Sequence, residues 1–261
     1  MIHQENCEPR ISDYNENGLL NLEGILDICE NAASHHSAKA SFDVIAKRMD
    51  GITWVLAEWN VCILHRPKSG ERLHISTWVR EENVTTTTNR DLVVKNDAGD
   101  DCILAKAKFV LFDMQTRRPT RISPEVLAAF QPENATSMDF DTAHLQEPSC
   151  YEREITLALR RTDADFNGHI HNARYISLAL ESLPDDLYKS DNFTGFRIVY
   201  RQPLVAGDIV TLRCHTESKS EGESESKSEG YTSVIGFYRQ DGTRGTHGTR
   251  GTLATLVELK G

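Results

Sequence analysis

One motif occurs twice in this chain, and that repetition constrains the fold more than any other feature of the sequence. Asp13-Tyr14-Asn15-Glu16-Asn17-Gly18-Leu19-Leu20-Asn21 is echoed by Asp163-Ala164-Asp165-Phe166-Asn167-Gly168-His169-Ile170-His171. Further on, the stretch from Pro67 through Gly70-Glu71 to Ile75 is echoed by the stretch from Pro203 through Gly207-Asp208 to Leu212. An internal repeat means that each copy is one structural unit, so any fold proposed for one copy must serve for both. The two landmarks stand farther apart in the first copy, which assigns it extra chain, around Ala40 to Asp50.

Each copy reads the same way locally. Asn-Gly at Asn17-Gly18 and Asn167-Gly168 is a turn signal, because both residues tolerate positive φ. A helix follows each turn. Leu22, Ile25, Leu26, Cys29, Ala32 and Ala33 recur at helical spacing in copy one, and Ala173, Ile176, Leu180 and Leu183 do so in copy two before Pro184 stops the run. Four β-branched or alternating runs then follow: Ile52 to Leu64, Arg72 to Val79, Asn89 to Lys95 and Ile103 to Asp113, matched by Phe196 to Tyr200, Val210 to Thr216, Tyr231 to Arg239 and Leu253 to Leu259. Short strands are expected ahead of the turns, at Arg10 to Tyr14 and Glu154 to Arg160. Helices are too few for a parallel α/β sheet.

The expected class is therefore α+β, each copy a curved antiparallel sheet wrapped around a helix. The two copies are expected to pair edge to edge into one long sheet around two central helices, which removes two free edges. The expected domains are 1–122 and 149–261, joined by a linker at 123–148 that opens with a short helix at Pro124 to Phe130. Ser/Glu/Lys-rich Glu217 to Gly230 and Gly/Thr-rich Gly242 to Gly251 read as solvated hairpin loops.

Composition excludes several classes. A formal net charge of −10 argues against a general nucleic-acid binder, whose affinity comes from clustered Lys and Arg. No apolar run is long enough to span a membrane, and the polar start lacks a signal-peptide pattern, so a cytoplasmic protein is expected. The scattered cysteines Cys7, Cys29, Cys62, Cys102, Cys150 and Cys214 form no CxxC pair, so reduced thiols are expected rather than a disulfide framework.

Comparing the copies locates the chemistry. Where copy one has Asn15, Asn17 and Leu19, copy two has Asp165, Asn167 and His169, so only copy two carries an ionisable acid and base. Asp13/Asp163, Asn17/Asn167 and Gly18/Gly168 are common to both and read as architectural. Just ahead of a helix N-terminus, a carboxylate, an amide and an imidazole suit addition of water to an acyl group, with unpaired N–H groups facing the developing oxyanion. Asp165 would be the base or water-orienting group, Asn167 a positioner or oxyanion donor, and His169 a polariser or proton carrier. A thioester fits, since a thiol with a pKa of about 8.5 leaves without a strong general acid. Two other readings stand beside this one. Asp165 and Asn167 could merely cap the helix, or His169 and His171, joined by His35-His36, could ligate a metal.

Asp165-Phe166-Asn167-Gly168-His169-Ile170-His171-Asn172-Ala173-Arg174-Tyr175 resembles the D-x-N-x-H-V-N-N-x-x-Y signature of plant and bacterial acyl-acyl carrier protein (ACP) thioesterases. Trp54 and Trp59, Gly70-Glu71 with Thr77-Trp78, and Arg117-Arg118-Pro119 resemble that family's first half. The resemblance implies a tandem double hotdog, no metal or organic cofactor, Asp165, Asn167 and His169 as catalytic residues, and an acyl tunnel largely in the first hotdog. The implied substrate is a fatty acyl chain on the phosphopantetheine arm of ACP. Lys106, Lys108, Arg117, Arg118 and Arg121 could form a docking patch for that acidic carrier, and a homodimer is left open. The chain departs from the pattern at His171, which replaces the first Asn of the triplet, and at Tyr200-Arg201-Gln202-Pro203, where the family commonly has a glutamate. Glu181 is another carboxylate on the second helix segment. The alternatives are an acyl-CoA thioesterase and a non-catalytic acyl-binding module with a decayed site.

Overall fold

A computed structural model describes residues 1–43, 47, 50–82, 84–139, 143–219, 230–240 and 251–261. Its two compact units are Met1–Asp141 and Thr142–Gly261. The first contains strands β1 (His3–Cys7), β2 (Ile52–Ile63), β3 (Leu73–Val79), β4 (Thr87–Lys95), β5 (Asp101–Asp113) and β6 (Arg118–Pro119), with helices α1 (Leu22–Lys39) and α2 (Pro124–Ala129). Its strands run in the order β1-β3-β4-β5-β2, and β6 pairs with β5. The second contains β7 (Arg153–Ala158), α3 (Arg174–Leu180), α4 (Asp185–Ser190), β8 (Gly195–Tyr200), β9 (Ile209–Lys219), β10 (Gly230–Arg239) and β11 (Thr252–Lys260), with strand order β8-β11-β10-β9-β7. All these pairings are antiparallel.

Helix α1 buries the stripe read from its spacing: Leu22, Ile25, Leu26, Cys29, Ala32 and Ala33 are all buried. The side chain of Asn21 accepts from the Gly24 amide at 2.7 Å and starts the helix. In α3 the buried face is Ala173, Tyr175, Ile176 and Ala179, with Leu183 beyond it, while Leu180 is only half-buried. The helix ends at Leu180, so its last position does not complete the expected stripe. The strand expected at Arg10 to Tyr14 lies earlier, at His3–Cys7, and pairs with β3. Ile11–Asp13 instead forms a tight 3-10 turn, because the Asp13 carboxylate accepts from the Arg10 backbone at 2.8 Å and from its side chain at 3.3 Å. In copy two the same turn, Arg161–Asp163, takes the end of the strand expected to reach Arg160. Residues 44–46, 48 and 49 of the expected extra segment at Ala40 to Asp50, and most of the two low-complexity loops, lie outside the described residues.

One polar group sits deep in the first unit. Arg90, only 4% exposed, reaches His36 Nδ1 at 2.8 Å and Thr77 Oγ1 at 3.2 Å, and its guanidinium lies 5.7 Å from the Phe130 ring centre. Burial, then the Arg90 charge, pushes the His36 imidazole down to about 3. It is therefore neutral and accepts from the guanidinium. Because the folded value lies below the unfolded one, protonation favours unfolding. Stability should fall as pH drops below about 6.5, by about 1.4 kcal/mol per pH unit for one proton. Thermal midpoints measured from pH 7 to pH 5 should show this slope, and His36→Gln should flatten it.

Candidate active site

The duplicated turns superimpose in their bonding. In copy one, Asn15 N–H donates to Leu19 O (2.9 Å), Gly18 N–H to Asn15 O (3.0 Å), Leu20 N–H to Pro67 O (2.8 Å) and Asn21 N–H to Asp13 O (2.8 Å). Copy two repeats each bond: Asp165 N–H to His169 O (2.7 Å), Gly168 N–H to Asp165 O (3.0 Å), Ile170 N–H to Leu204 O (2.8 Å) and His171 N–H to Asp163 O (2.8 Å). Gly18 and Gly168 take φ of +70° and +77°, where a Cβ would be strained. The bonding pairs Pro67 with Leu204, not with Pro203, so the second landmark aligns one residue later than its prolines suggest.

Asp13 and Asp163 are the buried pegs of these turns. Hydrogen bonds from Arg160 hold the Asp163 carboxyl below the usual carboxylate range.

Asp165 occupies the position of Asn15 and does the same backbone work. Asn15 Oδ1 accepts from the Asn17 and Leu19 amides, both at 3.0 Å. Asp165 Oδ1 accepts from the Asn167 amide at 2.7 Å and the His169 amide at 3.2 Å. The carboxylate also offers a second oxygen, Oδ2, which receives the Asn167 side-chain amide at 3.1 Å. Turn-holding and a spare anionic oxygen thus coexist in one side chain.

The structure brings Asp165 and Asn167 into direct contact, both half-buried. His169 is exposed, and among the described residues its ring makes no hydrogen bond; its backbone bridges to Val205. Phe166 and Val205, next to these residues along the chain and across the His169 bridge, are large apolar side chains left 55% and 39% exposed. The expected free N–H groups are not in the turn, since those of Asn167, Gly168, His169, Ile170 and His171 all donate within the fold. Helix α3 starts only at Arg174 and has no side-chain cap. Where Asn21 caps α1, His171 supplies no short oxygen, so the helix begins later. The Asn167 amide, one of whose protons goes to Asp165 Oδ2, carries a second proton beside the carboxylate.

Two tyrosines that the sequence reading did not single out pin the far side of this loop. The Tyr200 hydroxyl donates to Asn172 O at 2.9 Å, and the Tyr175 hydroxyl accepts from the Leu204 amide at 3.3 Å. Burial pushes the Tyr175 phenol up to about 12. Tyr175 closes the signature motif, and that was the signal available for it. Glu181 caps the other end of α3, about 10 Å of helix away from its start. Of the histidines considered as metal ligands, His35 Nδ1 lies 2.9 Å from Glu5 Oε2 and His36 Nδ1 lies 2.8 Å from the Arg90 guanidinium.

Residues 1–130 match the acyl-ACP thioesterase N-terminal domain, and residues 147–236 match the acyl-ACP thioesterase C-terminal domain. The chain belongs to the acyl-ACP thioesterase family. It is thus a member of a family of thioester hydrolases. Oleoyl-acyl carrier protein thioesterase 1 of Arabidopsis thaliana is 26% identical over 249 residues, covering 88% of this chain and 68% of that protein. The second Arabidopsis oleoyl enzyme is 27% identical, covering 77% of this chain and 59% of its own length. This chain therefore matches only about three fifths to two thirds of the length of these plant relatives.

Among solved structures, an acyl-ACP thioesterase from Bacteroides thetaiotaomicron superimposes with a TM-score of 0.79 at 18% identity, covering 99% of this chain and 96% of that one. The 12:0-ACP thioesterase of Umbellularia californica gives 0.78 at 15% identity, covering 99% and 96%. The acyl-ACP thioesterase fold is thereby shown for this chain. Among the described residues, no helix is long and apolar enough to cross a membrane.

Proposed function

We propose that this chain hydrolyses fatty acyl-ACP thioesters to free fatty acid and ACP, with Asp165 as the residue that activates water. The carrying observation is the second carboxylate oxygen of Asp165, which the Asn167 amide aims while the first oxygen holds the turn. Water presented to Oδ2 loses a proton to it as the oxygen adds to the thioester carbonyl. The remaining Asn167 amide proton stabilises the oxyanion, and the thiolate leaves without needing a strong acid. His169, exposed on the turn, polarises the carbonyl or returns the proton. Phe166 and Val205 give the pantetheine arm an apolar rim.

For the carrier, the basic patch is smaller than the sequence reading has it. Lys106 is buried, 3.8 Å from Asp91, and serves the interior of the first unit. Lys108, Arg117, Arg118 and Arg121 remain exposed on β5 and at β6 and offer cations to an acidic partner. One observation favours a second reading: Asp165 spends Oδ1 as Asn15 does, which is what a non-catalytic acyl-binding module with a decayed site would retain.

A panel of acyl-ACP and acyl-CoA substrates of graded chain length separates these readings. Turnover with ACP substrates, exceeding that with the matched CoA esters, is expected. Faster CoA turnover would move the assignment to an acyl-CoA thioesterase, and acyl retention without turnover would overturn hydrolysis altogether.

A further inference from the structure

At the β9–β7 edge of the second unit, three different ligating side chains converge. Cys150, Glu152 and His215 each offer a donor atom, and these atoms lie within 4.8 Å of one another. The backbone explains why. The Glu152 amide donates to Cys214 O at 3.1 Å and so extends the β7–β9 ladder by one step. Glu152 thereby lies beside His215 on β9, and Cys150 follows two residues back, the strand period that returns a side chain to the same face.

The imidazole is fixed from both sides. Its Nδ1 lies 2.5 Å from Glu152 Oε1, its Nε2 lies 3.1 Å from Glu217 Oε1, and Glu152 Oε2 is also held by the Thr216 amide at 3.3 Å. We propose that Cys150, Glu152 and His215 form a binding site for a divalent transition metal of the zinc class, with Glu217 orienting the histidine from behind. A thiolate, an imidazole and a carboxylate together select such an ion over magnesium or calcium, which take oxygen ligands. Around zinc these donors would sit roughly 3.5 Å apart, so Nδ1 and Glu152 Oε1 would separate by about 1 Å while the widest spacing closes by a similar amount.

On binding, the ion takes the place of the proton at Nδ1, which leaves to solvent, and Glu152 Oε1 turns from the ring to the metal. The Cys150 thiol gives its proton to solvent, and Glu217 keeps Nε2–H. That is the carboxylate–imidazole–metal arrangement that fixes a ligand's tautomer. The ion would fasten the chain entering the second unit to β9, and would stabilise the fold by mass action.

The test uses the full chain, treated with a chelator and kept reduced, then titrated with zinc and with cobalt. Binding of one equivalent is expected, with a thiolate-to-cobalt charge-transfer band and a rise in thermal midpoint on adding zinc. Cys150→Ser should abolish the band, His215→Ala should abolish the zinc-dependent rise, and Glu217→Gln should weaken affinity about tenfold or more. An unchanged band and stoichiometry in the Cys150→Ser, His215→Ala double variant would overturn the proposal. So would chelator-treated wild type that takes up no zinc at micromolar ion. None of these residues belongs to the thioesterase site, so the readouts stand independently of the acyl-ACP assay.

Discussion

Asp165→Asn is expected to lower kcat/KM for acyl-thioester hydrolysis by about 10²- to 10⁴-fold, the usual worth of a general base, while leaving the thermal midpoint nearly unchanged. The molecule contains its own control for this expectation. Asn15 holds the equivalent turn with its amide oxygen at 3.0 Å from two backbone nitrogens, so an amide at position 165 can keep both backbone bonds. What the substitution removes is the anionic Oδ2. Steady-state kinetics on one acyl-ACP, with a thermal melt alongside, separates the two contributions. Undiminished turnover would remove Asp165 from the chemistry and leave it as a turn residue. A collapse of both activity and stability would show that copy two needs the charge for its fold.

Asp91→Ala should destabilise the first unit by about 3–5 kcal/mol, the cost of leaving a buried charge without its counterpart. Asp91 is fully buried on β4. Its Oδ1 accepts from the Ser137 amide at 2.7 Å and the Ser137 hydroxyl at 2.6 Å, and Lys106 Nζ lies 3.8 Å away. Removal strips an anchor from the segment after α2 and takes away the buried carboxylate that faces both the Lys106 ammonium and, at 3.9 Å, the Arg80 side chain. A fall in the midpoint of roughly 10 °C is expected. Combining Asp91→Leu with Lys106→Met should restore much of the loss, because matched apolar replacement of a buried pair is often neutral. If the single variant melts like wild type, the ammonium has another sufficient partner.

Much of this architecture was legible because duplication supplies two readings of each element. The Asn-Gly turns, the buried stripe of α1 and the long strands all follow from local pattern, which backbone preference and periodicity encode directly. Features set by tertiary contact were less visible. The Arg10–Asp13 and Arg160–Asp163 clamps convert an apparently extended segment into a 3-10 turn, and nothing in the alternation of that segment signals it. Lys106 reads as a surface cation until the Asp91 carboxylate is seen beneath it, and the burial of Arg90 against His36 and Thr77 has no signal in the sequence. At the candidate site the residue types and spacing were legible, whereas the occupation of the turn's N–H groups was not. Four of those groups close locally on Asp163 and Asp165, and that of Ile170 depends on Leu204, which is remote in sequence. The Cys150, Glu152 and His215 cluster was invisible for the same reason, since its members meet only through strand pairing.

The interchangeability of amide and acid in the twin turns also bears on how such a protein can drift after gene duplication. Codons for Asn and Asp differ by a single base, and either side chain closes this loop. A copy can therefore acquire or shed its second carboxylate oxygen in one mutational step while the turn keeps its backbone bonds. Selection on chemistry and selection on folding are decoupled at that codon, and a silent twin remains one nucleotide from carrying the same group.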